Sequence, residues 1–198
     1  MAKNERTAEV SRKTGETEIT AWLNLDGVGR ANATTGVGFF NHMLALLSKH
    51  SLVDLSLTAK GDLEVDAHHT VEDTGIVIGQ ALDRALGERA GIRRYGSSAV
   101  PMDEALAEAA VDLGGRPYLV YDAEFAAERV GEFDVELIRE FLIALTSHAR
   151  MTLHVRVPYG ANVHHVAEAI FKSVARALRE AVEPDPRQGG VPSTKGTL

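Results

Sequence analysis

Two copies of one short pattern constrain this chain more than any other feature of its sequence. His68-His69-Thr70-Val71-Glu72 and His164-His165-Val166-Ala167-Glu168 both read HHxxE. On a helix, residues three or four positions apart share a face, so the glutamate can converge with the histidines on one cation. A single copy would be equally well explained as a solvated helix start, but a second copy favours metal ligands. Imidazole suits Mn, Fe, Co, Ni and Zn, and the carboxylate extends the choice to harder ions.

The sequence around these motifs is duplicated as well. Residues 42–50 (HMLALLSKH) align without a gap with 140–148 (EFLIALTSH), and residues 68–82 align with 164–178. Self-similarity of this kind indicates that each half is one structural unit. We therefore predict an α+β fold that forms an internally duplicated α/β sandwich. Each half should contribute a β-sheet covered on one face by two helices.

The boundary between the halves is predicted at the glycine-flanked stretch 91–96 (GIRRYG), which separates two amphipathic runs. This gives a first half at 1–92, a second half at 93–186 and a C-terminal tail at 187–198. The tail has no periodicity, which is typical of a disordered end. A structureless tail has no folding reason to carry Thr194-Lys195-Gly196, however, so we expect the tail to contribute to the substrate site.

Apolar periodicity predicts the elements of the first half. Polarity alternates between Arg6 and Asp26, which predicts two strands, and the glycine spacing of 27–38 predicts a loop. Residues 39–50 have helical spacing, 52–66 read as a hairpin, and the first HHxxE motif opens a helix that ends near Leu86. In the second half we expect strands at 105–113, 117–121 and 151–157 and helices at 133–149 and 164–182.

Composition excludes several classes of protein. A chain of 198 residues with 44% hydrophobic content can bury a core, and the absence of cysteine leaves only His, Glu, Asp and water as metal ligands. The opening residues lack an apolar signal segment and no apolar run reaches the length of a membrane span, so we expect a cytoplasmic protein without a membrane partner. The net charge of −7 argues against a nucleic-acid partner but permits a local basic pocket for a small anion.

The duplication also bears on the choice of a further metal ligand. His42 precedes the first motif, and its counterpart in the repeat is Glu140, whereas His148 is the counterpart of His50. A search for histidines alone would select His148, but the repeat favours Glu140, which can also bind a divalent cation. We expect His50 and His148 to lie near helix C-termini, where partial positive charge is favourable.

Five stretches carry a resemblance that covers essentially the whole chain: FFNHML, DAHHTVED, LGGRPY, HHVAEAIFK and PSTKG. With these motifs in this order, the chain resembles the imidazoleglycerol-phosphate dehydratase family of histidine biosynthesis. The resemblance implies a hydro-lyase with a duplicated α+β fold, acting on a small phosphate substrate. It also implies a homo-oligomer of 24 subunits whose shared active sites each hold two Mn2+ ions.

The resemblance assigns roles to residues by their position in these motifs. The implied metal ligands are His42, His68, His69, Glu72, Glu140, His164, His165 and Glu168. The implied phosphate-binding residues are Arg94, Arg116, Lys172, Ser193 and Lys195. The chain departs from the family pattern at Glu140, where other members carry a histidine, and at Asn41, where an aspartate is common.

The implied reaction converts D-erythro-imidazole glycerol phosphate to imidazole acetol phosphate. The carbon that loses its proton has no adjacent carbonyl, so the imidazole ring must supply the electrons. Two cations on the ring nitrogens would favour a metal-bound imidazolate, which expels the hydroxyl; loss of the carbon proton then gives an enol. Glu16, beside a strand turn, and Glu168 are our candidates for moving protons.

Two other functions fit the same residue types. A dinuclear metallohydrolase acting on a phosphate ester would use the same carboxylate and histidine ligands with the same basic residues. A metal-storage or structural assembly would use the ligands without any chemistry.

Overall fold

The computed structural model describes residues 6–198. In these residues, segments with alternating apolar and polar side chains form two four-stranded sheets, and segments with apolar side chains at helical spacing form four helices. The first half contains β1 (Thr7–Lys13), β2 (Thr17–Asn24), β3 (Ala31–Thr34), α1 (Gly38–Ser51), β4 (Asp54–Gly61) and α2 (His68–Leu86). The second half contains β5 (Tyr95–Met102), β6 (Ala105–Asp112), β7 (Tyr118–Asp122), β8 (Arg129–Val130), β9 (Phe133–Asp134), α3 (Glu136–Ala149), β10 (Thr152–Tyr159) and α4 (Val163–Val182).

The two sheets have the same topology. Their strand orders are β1-β2-β4-β3 and β5-β6-β10-β7. In both sheets the last strand runs parallel to its neighbour, while the other pairs are antiparallel. The predicted duplicated α+β fold is thereby confirmed.

The core lies on one face of each sheet, under the helices. In β2, Ile19, Ala21 and Leu23 are buried, whereas the intervening Glu18 and Thr20 are exposed, as period-two alternation requires. Helix α2 covers β1 and β2, and α4 covers β5 and β6. Helix α1 of the first half packs on α4, and α3 packs on α2, so the helices join the two halves in one hydrophobic core.

A small residue permits one of these close helix contacts. A Cβ atom added at Gly75 of α2 would lie 2.7 Å from the carbonyl oxygen of Phe141 and 2.9 Å from the Cβ of Ala144 on α3. A larger residue at this position would push the two helices apart. The backbone approach of α2 and α3 therefore depends on glycine.

The structure corrects two expectations for the first half. The predicted loop at 27–38 contains β3, which pairs with β4 in parallel but has mostly exposed side chains and so carries no apolar alternation. The predicted return strand at 63–66 is a turn, with the amide of Val65 bonded to the carbonyl of Asp62 at 2.8 Å. Because β4 has β2 on one side and β3 on the other, it has no free edge for a hairpin partner.

Two expectations for the second half are corrected as well. Strand β5 escaped prediction because Gly96 and Pro101 interrupt its pattern; proline is tolerated there because β5 lies at the edge of its sheet. The helix predicted from Phe133 begins instead at Glu136, because Phe133 pairs with Val130 in the short β8–β9 hairpin. The remaining predicted helices and strands are present within a few residues of their expected bounds.

Among the described residues, no helix combines the length and the apolar character needed to cross a bilayer.

We predict that Gly96→Ala destabilises the protein. A Cβ at Gly96 would lie 2.0 Å from the carbonyl oxygen of Ala177, a backbone atom of α4 that cannot rotate away. Overpacking of this kind costs about 1–3 kcal/mol, measurable by urea unfolding at a fixed protein concentration. Gly15→Ala is the matched control, since no atom lies within 4 Å of its added Cβ. Equal stability of the two variants would contradict the close approach of β5 and α4.

Candidate metal and substrate site

Both HHxxE motifs begin in the first turn of a helix, where polar side chains accept hydrogen bonds from free amide groups. The side chain of Asp66 accepts a hydrogen bond from the amide of His68 at 2.7 Å. Asn162, the N-cap of α4, accepts from the amide of His164 at 2.9 Å. These hydrogen bonds hold the start of each helix and therefore the face that carries the histidine and glutamate of each motif.

Three predicted ligands converge at the contact of α1 and α4. His42, His164 and Glu168 each offer one ligand atom, and these atoms lie within 4.8 Å of one another. The Nε2 atoms of His42 and His164 are 2.7 Å and 3.1 Å from Oε1 of Glu168. Within residues 6–198 this is the single group of three such side chains that meets this distance; we call it the α1–α4 cluster.

Glu168 is the charged centre of the α1–α4 cluster. It is only 7% exposed, and Lys172 donates to its Oε2 at 2.6 Å. Burial alone would raise the pKa of Glu168, but the hydrogen bonds with Lys172, His42 and His164 outweigh it and lower the pKa to about 2. A carboxylate that stays ionised beside two imidazoles is a donor set that fits a divalent transition metal.

The repeat counterparts of these three residues lie on α2 and α3, but they do not converge as closely. Nε2 of His68 is 3.7 Å from Oε2 of Glu72, and both side chains are more than 40% exposed. Glu140 lies on α3 at the repeat position of His42 and has Arg139 at 4.0 Å as an ion-pair partner. The α1–α4 and α2–α3 contacts are equivalent in the repeat, so Glu140, His68 and Glu72 form the counterpart of the α1–α4 cluster.

His148 is directed elsewhere. It lies in the last turn of α3, as His50 does in α1, which confirms the expected positions of both residues. Nδ1 of His148 is 2.9 Å from the carbonyl oxygen of Ala144 on the same helix. Its ring is therefore held by its own backbone.

The second histidine of each motif contacts carboxylates rather than the α1–α4 cluster. Nδ1 of His69 is 3.0 Å from Asp62, and its Nε2 is 3.8 Å from Glu16. The hydrogen bond to Asp62 raises the pKa of His69. Glu16, the predicted proton carrier, thus faces the ring nitrogen of His69 that Asp62 leaves free.

The second half repeats this arrangement with other residues. Nδ1 of His165 is 2.7 Å from Glu104, and its Nε2 is 3.7 Å from Asp103. This hydrogen bond raises the pKa of His165 and is the main cause that lowers the pKa of Glu104 to about 2. Sequence reasoning missed Asp62, Asp103 and Glu104. An alignment of the β1–β2 and β5–β6 turns would have found Glu104, because Glu16 and Glu104 directly precede β2 and β6.

The turn that carries Glu16 is fixed to α2. The side chains of Thr17 and Arg12 both donate to the carboxylate of Asp73, the residue after Glu72. Asp73 is 7% exposed and Thr17 is 3% exposed, so the bond between these two side chains is shielded from solvent. The first motif and the predicted proton carrier are consequently held in one rigid unit.

Four of the five predicted phosphate-binding residues line one cavity of about 840 Å3: Arg94, Arg116, Ser193 and Lys195. The fifth, Lys172, is bonded to Glu168 of the α1–α4 cluster and to the sulfur of Met102 at 3.2 Å. The basic residues predicted to bind phosphate therefore divide between two places on the chain.

The C-terminal tail forms one wall of this cavity instead of leaving the fold. Arg94 donates to the carbonyl of Pro192 at 2.8 Å, while its other nitrogens donate to Asp112 at 2.7 Å and 3.1 Å. The amide of Gly91 bonds to the carbonyl of Gly190 at 2.9 Å, and Leu198 lies against Gly115. Arg94 thus anchors the tail as well as lining the cavity.

Comparison with known proteins matches this architecture to one family. A sequence model of imidazoleglycerol-phosphate dehydratase matches residues 35–178. This chain belongs to the imidazoleglycerol-phosphate dehydratase family. The resemblance read from the motifs and the prediction of a hydro-lyase are thereby confirmed.

Relatives in this family align over nearly the whole chain. Imidazoleglycerol-phosphate dehydratase of Paracoccus denitrificans is 61% identical over 194 residues, which cover 98% of this chain and 100% of the relative. The Acetivibrio thermocellus protein is 60% identical with the same coverage. The Staphylococcus aureus crystal structure aligns with a TM-score of 0.81 at 40% identity, covering 90% of this chain and 99% of the other. The crystal structure of the Pyrococcus furiosus protein in complex with (S)-C348 aligns with a TM-score of 0.83 at 35% identity. This alignment covers 96% of this chain and 100% of the other.

We predict that Glu140, and not His148, contributes to metal binding. Glu140→Ala should reduce the bound Mn2+ measured by elemental analysis after gel filtration, and Glu140→His should retain most of it because imidazole also binds Mn2+. His148→Ala should leave the metal content unchanged. Glu136→Ala is the matched control, since Glu136 is an exposed glutamate one turn earlier on α3. Loss of metal on changing His148 alone would contradict the repeat-based assignment.

Proposed function

We propose that the chain dehydrates D-erythro-imidazole glycerol phosphate to imidazole acetol phosphate in L-histidine biosynthesis, and that the reaction depends on metal. The observation that carries the proposal is the α1–α4 cluster. It joins His42 to the second HHxxE motif in a chain of the imidazoleglycerol-phosphate dehydratase family. A cytoplasmic location remains a prediction from the sequence.

The proposed cofactor is Mn2+, with two ions per active site. One ion would be held by His42, His164 and Glu168, whose ligand atoms already converge. The other would be held by Glu140, His68 and Glu72. Each set offers three side chains, fewer than the six ligands of an octahedral ion, so each leaves room for further ligands.

His69 and His165 are the natural source of those further ligands. Both lie in the first turn of their helices but contact Asp62 and Glu104 rather than the α1–α4 cluster. We therefore assign them to ions held mainly by neighbouring subunits. This arrangement makes each active site a joint structure of several chains, which supports a homo-oligomer with shared sites; the 24 subunits themselves rest on the family resemblance.

Two Mn2+ ions, when bound, would act as Lewis acids on the imidazole of the substrate and favour its deprotonated form. The side chains beside them have separate tasks. Nζ of Lys172 donates to Oε2 of Glu168 at 2.6 Å, which keeps that carboxylate ionised and fixed. Glu16, with a side chain 57% exposed near Nε2 of His69, is free to take or deliver a proton.

The phosphate of the substrate is proposed to bind in the cavity between the Gly114-Gly115 turn and the tail. Arg116 and Lys195 line this cavity, and Ser193 supplies a hydroxyl donor. Arginine and lysine side chains bind phosphate through charge-assisted hydrogen bonds, which are stronger than neutral ones. Because the tail forms part of the wall, substrate and tail would stabilise each other.

We predict that chelation of the metal abolishes turnover and that Mn2+ restores it. Metal-loaded protein given imidazole glycerol phosphate should form an enol or ketone product without releasing inorganic phosphate. Release of phosphate would favour the metallohydrolase, and bound metal without turnover would favour a storage or structural role. Because shared ligands couple metal binding to assembly, the chelated protein should also elute as smaller species in gel filtration. Full activity after chelation would contradict the proposal.

We predict that Lys195→Ala raises the KM for substrate about ten- to over a hundredfold, because a charge-assisted contact to phosphate contributes about 1.5–3 kcal/mol. The bound Mn2+ should remain unchanged. Arg187→Ala is the matched control, because it removes one positive charge from an exposed tail residue outside the cavity. An equal KM for both variants would show that the tail does not bind the phosphate.

A further inference from the structure

His69 and His165 occupy equivalent positions in the two halves, and each has a carboxylate bonded to the same ring nitrogen. The residues that supply these carboxylates stand at different positions of the repeat. In both halves Nδ1 is bonded to a carboxylate, at 3.0 Å for His69 and 2.7 Å for His165. The carboxylate is Asp62, which follows β4, in the first half, and Glu104, which precedes β6, in the second. Different residues thus make the same contact in the two halves. This indicates that the histidine requires a carboxylate at Nδ1, because simple inheritance from the duplication would have kept the same residue.

A steric constraint explains why the halves differ. The residue that follows β10, at the position equivalent to Asp62, is Gly160. A Cβ there would lie 2.6 Å from Cγ2 of Val166 and 2.9 Å from the Cβ of Ala105, so the second half has no room for a carboxylate at this position. The turn before β6 supplies Glu104 instead.

Glu104 is held firmly enough to orient a ring. Its Oε1 accepts hydrogen bonds from the amides of Ala161 and Asn162 at 3.2 Å and 2.7 Å, while Oε2 contacts Nδ1 of His165. Asn162 is also the N-cap of α4. Glu104 thus connects the β5–β6 turn, the start of α4 and the imidazole ring.

We propose that Asp62 and Glu104 are positioning residues that fix His69 and His165 in the tautomer with the proton on Nδ1, so that Nε2 carries the lone pair offered to a metal ion. A histidine ligand commonly donates its other ring N–H to a carboxylate, which sets its orientation and raises its basicity. This inference rests on the proposed metal dependence. It adds two residues that neither motif contains.

The test uses variants that reverse the polarity of the partner while keeping its shape. Glu104→Gln retains an oxygen for the amides of Ala161 and Asn162 but can present an NH2 donor to Nδ1 of His165. Such a donor stabilises the opposite tautomer, with the proton on Nε2. Asp62→Asn makes the same change at His69, and it provides an independent variant should one of the two fold poorly.

Two measurements on the full chain decide the outcome. Solid-state 15N spectra of metal-free, histidine-labelled protein at about pH 9, above the ordinary titration range of imidazole, should show His69 and His165 with the proton on Nδ1. Glu104→Gln should move the proton of His165 to Nε2 and weaken Mn2+ binding by about ten- to a hundredfold, the usual effect of losing such a partner. Loss of activity should follow the loss of bound metal.

Glu180→Gln is the matched control, since Glu180 also accepts from a backbone amide, that of Ser97 at 3.0 Å, but touches no histidine. It should change neither the tautomers nor Mn2+ binding. A wild-type protein with the proton of His165 on Nε2, or Glu104→Gln with unchanged tautomer and Mn2+ affinity, would overturn the proposal. A wild type that binds Mn2+ without dehydrating the substrate would instead contradict the proposed function and leave the positioning inference to be decided by the tautomers.

Discussion

The packing of a helix from each half against a helix of the other is the interaction on which the structure depends. Phe141 of α3 lies at its centre, 5.4 Å from the ring of Phe40 on α1 and 5.6 Å from the ring of Phe171 on α4. Aromatic contacts at these separations contribute beyond the area they bury. Because α1 packs on α4, His42 from the first half meets His164 and Glu168 from the second. Neither half could assemble this cluster by itself.

A charged side chain buried in this core needs partners that offset the cost of desolvation, and Glu168 finds them in and beside the α1–α4 cluster. An isolated buried carboxylate would take up a proton to avoid the cost of desolvation. Glu168 stays ionised because Lys172, one turn later on the same helix, donates to it from a largely buried position. Helix α4 therefore supplies two of the proposed metal ligands and the cation that keeps one of them charged.

The duplication produced two halves that share one topology but differ in the polar contacts near their HHxxE motifs. The sheets share one strand order, yet Gly160 replaces the carboxylate of Asp62, and Ala105 stands where β2 begins with Thr17. The Asp73 bond that fixes the Glu16 turn in the first half is accordingly replaced in the second by the bond between Glu104 and His165. Each half thus tethers its hairpin to the helix that carries its HHxxE motif by a different polar contact.

The sequence by itself determined the duplicated α+β fold, the helices and the family, because motif spacing and apolar periodicity are set by residues near one another in the chain. It missed β3 and β5, whose exposed or glycine-interrupted patterns carry no periodic signal, and it read 63–66 as a strand although β4 has no free edge. Only the tertiary structure decided which of the predicted ligands converge and that the tail closes a cavity. These contacts join segments far apart in sequence, so their geometry follows from packing between the halves rather than from any local pattern.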